Sequence, residues 1–221
     1  MKKFALILAG CGQQDGSETH EVILTLLALA QEGVQWDAFA PDVKQNRVIN
    51  HFNNAVMPNE SRSVLIESAR LVRGNIKPLI EAKAEDYDAI IIPGGVGSMN
   101  ILCDWFDQQA NYQFEPSVKC FLDDAIALRK PLGFICIAPM MIPKLVPGAS
   151  LTIGCDASLN EQLHALGAEP INCLATDVVV DAQNLLVSTP ANMVANSIDE
   201  VAQGIRKCVQ ALLSLSAQHV S

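Results

Sequence analysis

Three observations predict an α/β fold built on a mostly parallel sheet, with helices on both faces and a small hairpin near the C-terminus. Residues 4–9, 89–92 and 131–135 are continuous apolar runs without the alternation of a half-exposed strand, which is the pattern of strands buried on both faces. Segments of helical periodicity separate them, so strand and helix alternate along the chain. Half of the 221 residues are hydrophobic and 18% are charged, which fills a sizeable core and fits one large domain over 1–221 better than two small ones.

The first strand runs into the glycine-punctuated loop Gly10-Cys-Gly12-Gln-Gln-Asp-Gly16 and then a helix. Asp15 or Ser17 can cap that helix, and with Asp15 as N-cap, Glu18 falls at the third helical position and completes a capping box. Residues 22–30 are apolar nearly all round, so this helix should be covered on most of its surface until Gly33 ends it. Residues 36–40 form the second strand, closed by Pro41-Asp42. After a polar stretch to Pro58, the spacing of Val64, Leu65, Ala69 and Val72 marks a helix stopped by Gly74, and Pro78 can begin another helical piece through Ala84. The strand at 89–92 meets Pro93-Gly94-Gly95-Val-Gly97 at once, whose glycines let the backbone come close to whatever occupies the sheet's carboxyl edge.

Residues 102–114 are a polar, aromatic-bearing excursion, either a lid over the crevice or an insertion. An amphipathic helix at 117–130 delivers the chain to the strand 131–135, and a further helix begins around Met140-Met141. A strand at 151–153 and a helix at 158–166, ended by Gly167, precede residues 178–181 and 185–188, which pair as a hairpin through Gln183-Asn184. Ser197-x-x-Glu200 is a capping box opening the last helix, which keeps an apolar face through Val201, Ile205, Cys208, Leu212 and Leu215.

A net charge of −9 argues against nucleic acid or an anionic membrane as partner, since both need clustered Lys and Arg. No apolar run approaches the roughly 20 residues of a membrane span. Met1-Lys-Lys-Phe-Ala-Leu-Ile-Leu-Ala-Gly-Cys11 imitates a lipoprotein leader, but residues 4–9 are shorter than the roughly 7–15 apolar residues such a leader needs. The seven cysteines stand singly, with no Cys-x-x-Cys and no histidine spaced as a zinc ligand, so the expectation is a reduced, cytoplasmic chain without a structural metal.

In a mostly parallel sheet the site lies at the carboxyl ends of the strands, where the loops 10–16 and 93–97 and the turn at Cys136 should meet. The turn is Gly133-Phe-Ile-Cys136-Ile-Ala-Pro139, and Pro139 suits a first helical turn. A sharp strand-to-helix turn lifts its apical side chain out of the sheet, and a helix N-terminus beneath it would lower a thiol pKa. Cys136 is therefore a candidate nucleophile, the alternative being a buried apolar cysteine. The N–H groups of Ile137 and Gly95 are candidate oxyanion donors, and Gly94 belongs to the same substrate-binding loop. Glu21, on the first turn of the first helix, is placed to hydrogen-bond the thiol and shuttle its proton, with a pKa raised by an apolar crevice; a plain helix-dipole role is the alternative. His20 is a second-line proton carrier, and His51 is close enough in kind to consider with it.

The motifs Gly-Cys-Gly-x-x-Asp-Gly-Ser-Glu-x-His-Glu21, Ile-Asn-His51, Pro-Gly-Gly-x-Gly97 and Pro-Leu-Gly-Phe-x-Cys136-Ile-Ala-Pro together resemble the isoprenoid-biosynthesis glyoxalase (ElbB) subgroup of the PfpI-type, class I glutamine amidotransferase-like superfamily. The resemblance runs over essentially the whole chain. It implies a flavodoxin-like three-layer α/β/α sandwich, with the nucleophile at Cys136, its carboxylate partner at Glu21 and the oxyanion donors at Gly95 and Ile137. It also implies glyoxalase chemistry on glyoxal or related dicarbonyl substrates, with no metal or organic cofactor. Ile137 stands where the protease-like branch has histidine, so a peptidase would lack its base. Neither His164 nor His219 begins the His-x-Glu pair of an amidotransferase.

Three other readings are open: protein deglycation, a non-catalytic redox sensor or partner-binding protein acting through Cys136, and a dinucleotide site. The last would use Gly10-x-Gly12-x-x-x-Gly16 with Asp37 or Asp42, although that spacing misses the usual glycine fingerprint by one residue. Apolar helix faces allow a homodimer without requiring one.

Overall fold

The computed structural model describes residues 1–218. Its elements in chain order are β1 (Lys3–Ile7), α1 (Thr19–Gln31), β2 (Gln35–Ala40), β3 (Ile49–Asn50), β4 (Ala55–Val56), α2 (Val64–Leu71), β5 (Ile76–Pro78), β6 (Ala89–Ile92), α3 (Ser98–Ile101), α4 (Trp105–Gln108), α5 (Pro116–Ala127), β7 (Leu132–Ile135), α6 (Ile142–Leu145), β8 (Ser150–Leu151), α7 (Ala157–Ala165), β9 (Glu169–Pro170), β10 (Val179–Asp181), β11 (Leu186–Thr189) and α8 (Ile198–Gln218). Seven strands form one sheet in the order β10-β11-β7-β6-β1-β2-β5. Every neighbouring pair is parallel except β10 with β11, the hairpin expected near the C-terminus.

The three continuous apolar runs became β1, β6 and β7, side by side at the centre of the sheet and buried throughout. Helices cover both faces, so the fold is the flavodoxin-like sandwich that was expected. The helices α1 and α8 pack against each other, and α8 lies over β7 and β11. Gly133 in β7 lets α8 sit close: a β-carbon there would lie 2.6 Å from Leu212 Cδ1. Among the described residues no helix is long and apolar enough to cross a membrane.

Several local expectations are corrected. Asp15 and Ser17 do not cap α1; the Glu18 side chain does, accepting the Glu21 N–H at 2.7 Å. Ser17 Oγ instead accepts the Ala9 N–H, and Asp15 Oδ2 accepts that of Ile49. Pro78 does not open a helix: it ends β5, paired with Ala40 at the sheet's edge, where a missing N–H is tolerated, and a single 3-10 turn follows at Leu79–Glu81. The excursion 102–114 is anchored by Tyr112, fully buried, whose hydroxyl donates to the carbonyls of Met140 and Met141 behind the Cys136 turn. The Ser197–Glu200 box forms, with Glu200 N–H donating to Ser197 Oγ and Glu200 Oε2 accepting from Asn196.

Candidate active site

The carboxyl edges of β1, β6, β7 and β11 carry four loops that converge. Cys136 follows β7 and takes a φ of +62°, a left-handed conformation that a non-glycine residue adopts only when its surroundings enforce it. Two constraints enforce it here. The Cys136 N–H donates to Thr189 O at the end of β11, and Ala138–Met141 turns immediately as a 3-10 helix, ahead of the short α6. The side chain is thereby driven off the sheet edge toward α1, with only 7% of the residue exposed.

Glu21 reaches the same point from α1 and is completely buried. Its Oε2 accepts the Gly94 N–H and its Oε1 accepts from Asn192 Nδ2, both at 2.9 Å. Burial pushes the Glu21 pKa up to about 7, against the pull of Asn192 and with help from the neighbouring Glu18 charge. The Cys136 thiol lies beside the same carboxylate and also pulls its pKa down. Burial, and then the charge of Glu21, hold the Cys136 thiol well above its ordinary range. The expected lowering of the thiol pKa is thus reversed. No full helix begins beneath the sulfur, and the nearest charge is a carboxylate. The backbone N–H groups of Ile137 and Gly95 lie near the sulfur and pull its pKa the other way. With two donors on the carboxylate, the proton of the pair rests on sulfur and the charge on Glu21.

Gly94 is not an oxyanion donor, because its N–H is committed to Glu21 and its carbonyl accepts the Glu18 N–H. A β-carbon at Gly94 would lie 2.6 Å from Cys136 Cβ and 2.9 Å from Glu21 Oε2, so the bare backbone is what lets carboxylate and thiol meet. His20 is exposed on the outer side of α1, its Nδ1 3.7 Å from Glu18 Oε1, and it takes no part in the thiol–carboxylate pair. His51 is engaged elsewhere: its Nε2 accepts the Gln14 N–H and stands 3.7 Å from Asp15 Oδ1, holding the loop 10–16. That loop leaves no dinucleotide cradle, since the space over Gly12 is filled by His51 and Asp15. Asp37 is bonded to Lys3 and Tyr87 within the sheet. His164 lies on α7, and His219 lies outside the described residues.

Asn192 escaped the sequence reading. It sits on the 3-10 turn Ala191–Met193 after β11, and its amide bridges Glu18 Oε2 and Glu21 Oε1. The available signal was positional: Thr189-Pro190 ends a strand at the sheet's carboxyl edge, and Asn192 is the first amide beyond it. Among the described residues no group of three or more His, Cys, Asp or Glu could hold a metal ion.

No family model matches the chain. It is 35% identical over 225 residues to the ES1 protein homolog, mitochondrial, of Rattus norvegicus, covering 98% of this chain and 85% of that protein. It is 34% identical to the human glutamine amidotransferase-like class 1 domain-containing protein 3, mitochondrial, over 98% of this chain and 84% of that one. Among solved structures it is similar to an isoprenoid biosynthesis protein with an amidotransferase-like domain from Ehrlichia chaffeensis, with a TM-score of 0.89, 31% identity, and coverage of 96% and 99% of the two chains. Drosophila melanogaster DJ-1beta shares the fold at a TM-score of 0.52 and 17% identity. The superfamily expectation therefore holds, while the curated relatives carry ES1 and amidotransferase-like names rather than that of the ElbB subgroup. The cytoplasmic expectation is overturned, since the rat, human and zebrafish relatives are mitochondrial proteins.

Proposed function

Because this chain belongs to the family of ES1 proteins and their glutamine amidotransferase-like class 1 relatives, we propose that it is a thiol enzyme: a glutathione-independent glyoxalase converting glyoxal, or a related small α-oxoaldehyde, to the hydroxy acid. The observation that carries this reading is the buried pairing of Cys136 with Glu21 across Gly94, with the Gly95 and Ile137 N–H groups near the sulfur. A thiol that keeps its proton until a carboxylate takes it suits addition to an aldehyde, where proton transfer and S–C bond formation go together.

Cys136 Sγ attacks one aldehyde carbon, and its proton passes through Glu21 to the carbonyl oxygen, giving a hemithioacetal. The developing oxyanion is held by Gly95 and Ile137, whose N–H groups turn from sulfur to oxygen. Glu21 then takes the C–H proton of the hemithioacetal carbon and returns it to the neighbouring carbon through an enediol. The resulting thioester is hydrolysed by water, releasing glycolate and restoring the thiol. Glyoxal plus water gives glycolic acid, with no oxidant or cofactor consumed.

The raised thiol pKa weighs against a resting thiolate that peroxide would oxidise readily, so the catalytic reading is preferred to a sensor. Steady-state consumption of glyoxal and methylglyoxal by metal-stripped protein tests the proposal. Turnover should vanish in Cys136→Ala and fall by on the order of 100-fold or more in Glu21→Gln. Wild-type rates no faster than those of the variants would refute it.

A further inference from the structure

A cavity lies away from Cys136. It has a volume of about 390 Å³ and is lined by Cys155, Cys173, Leu174, Val194, Asn196 and Glu200, among others. Two of the chain's seven cysteines thus face one cavity, and neither takes part in the chemistry of Cys136. Cys155 is exposed, Cys173 is half-buried, and both thiols are free.

Their placement follows from the small ladder β8–β9, which is parallel with Ser150 opposite Glu169 and Leu151 opposite Pro170. The Ile171 N–H extends it by donating to Leu151 O at 2.8 Å. Cys155 lies four residues beyond Leu151, and Cys173 three beyond Pro170, so the chain brings them to nearly the same height. Continued in register, Gly154 would face Cys173 and Cys155 would follow one residue on, turned to the other face; the chain leaves strand geometry here, and both cysteines line the one cavity. Neither 152–156 nor 171–176 contains helix or strand. One wall is fixed, because Gly154 packs against Val194 so tightly that a β-carbon would lie 2.4 Å from Val194 Cγ1. The other wall is held at Ala175, whose carbonyl oxygen would lie 2.1 Å from a β-carbon at Gly204, so the closing motion falls to residues 172–174.

We propose that Cys155 and Cys173 form a redox-active dithiol site, closed to a disulfide by a small-molecule disulfide of the glutathione class. The exposed Cys155 thiolate attacks the small disulfide, forming a mixed disulfide and releasing one thiol. Cys173 then attacks the Cys155 sulfur, displacing the second small thiol and leaving an intramolecular S–S bond. Two protein thiols are oxidised as one small disulfide is reduced to two thiols, and the two protein protons end on the released thiols. Cys173 suits the second step, since burial raises its pKa and makes it a poor first attacker.

The test equilibrates wild type, Cys136→Ser, Cys155→Ser and Cys173→Ser in glutathione buffers of rising oxidised fraction, followed by acid quench and alkylation. Cleavage after Glu161 separates the two cysteines, which no Lys or Arg divides. Wild type and Cys136→Ser should yield a linked 155–173 peptide pair that retains no glutathione and reverts with reductant. Cys155→Ser and Cys173→Ser, with melting temperatures within a few degrees of wild type, should yield none. Separate glutathione adducts on Cys155 and Cys173 in wild type, or the absence of the linked pair at every buffer ratio, would overturn the proposal. Cys136→Ser makes the result independent of the glyoxalase reading.

Discussion

Glu21 accepts two hydrogen bonds and has the Cys136 thiol and the Glu18 charge beside it, so its protonation is set by neighbours that can be removed singly. In the proposed reaction the carboxylate must be ionised to take the thiol proton, so kcat/KM should fall as pH drops through about 7. Asn192 lowers the Glu21 pKa, and Asn192→Ala should move this acid limb upward by about one unit. Glu18 raises it through its charge, and Glu18→Gln should move the limb downward. A pH–rate profile in which both variants shift the same way would contradict these assignments. The same carboxylate costs stability. With its folded pKa above the unfolded value, the native state holds a proton that the unfolded chain has released between pH 4.5 and about 7. Stability therefore falls as pH rises across that window, by at most roughly 3 kcal/mol from this group. Urea unfolding at pH 5 and pH 8 should show this loss in wild type and a flatter dependence in Glu21→Gln. Glu21 was legible because acid, helix start and thiol turn occur together; its pKa was legible in direction from the apolar strands around it. The thiol pKa was not, because the sign depended on whether a helix dipole or the Glu21 charge lay closer to sulfur. That is a matter of ångströms which no spacing in the chain encodes.

At the scale of elements, the site is held by loops interlocked backbone to backbone. The Gly12 N–H donates to Ser17 O, Glu18 N–H to Gly94 O, and Gly97 N–H to Gln13 O, so the loops 10–18 and 93–97 form one body. A β-carbon at Gly97 would lie 1.8 Å from Gly16 N and 2.1 Å from Asp15 C, both backbone atoms with nowhere to go. Gly97→Ala should cost about 3 kcal/mol or more and abolish turnover together with the loop packing. A melting temperature within two degrees of wild type would show that the loops can separate. The glycine clusters were visible as places where backbone approaches something, but what approaches was not. The sequence suggested a ligand, and the structure shows that the first loop fills most of that space itself. Helix caps failed for a related reason. Asp15 has the right side chain in the right place to cap α1, but the hairpin β3–β4, more than 30 residues on, recruits its carboxylate through Ile49. A local propensity lost to a partner distant in sequence, and Glu18 took its place.

For the whole molecule, the class was readable from three apolar runs because burial on both faces leaves a compositional mark on each strand. The strand order was not, since β10-β11-β7-β6-β1-β2-β5 records non-local pairing, and the edge strand β5 is three residues with a proline. What joins the two ends of the chain is also non-local. The C-terminal α8 packs on both α1, which carries Glu21, and β7, which leads to Cys136, so it braces the two halves of the thiol–carboxylate pair. Gly133 is where that brace is tightest. Its missing β-carbon faces the tip of the Leu212 side chain rather than backbone, so the helix has some room to give. Gly133→Ala should therefore cost only about 1 kcal/mol, whereas Leu212→Ala, emptying a fully buried site, should cost about 2–5 kcal/mol. In the double variant the new methyl group enters space that Leu212 has vacated, so the two costs should sum to less than their separate values by about 1 kcal/mol. Urea denaturation of the four proteins measures that coupling. Strict additivity would mean that α8 moves as a rigid rod away from the sheet. In that case Gly133→Ala should also slow turnover, because the same displacement would carry α1 and Glu21 away from Cys136.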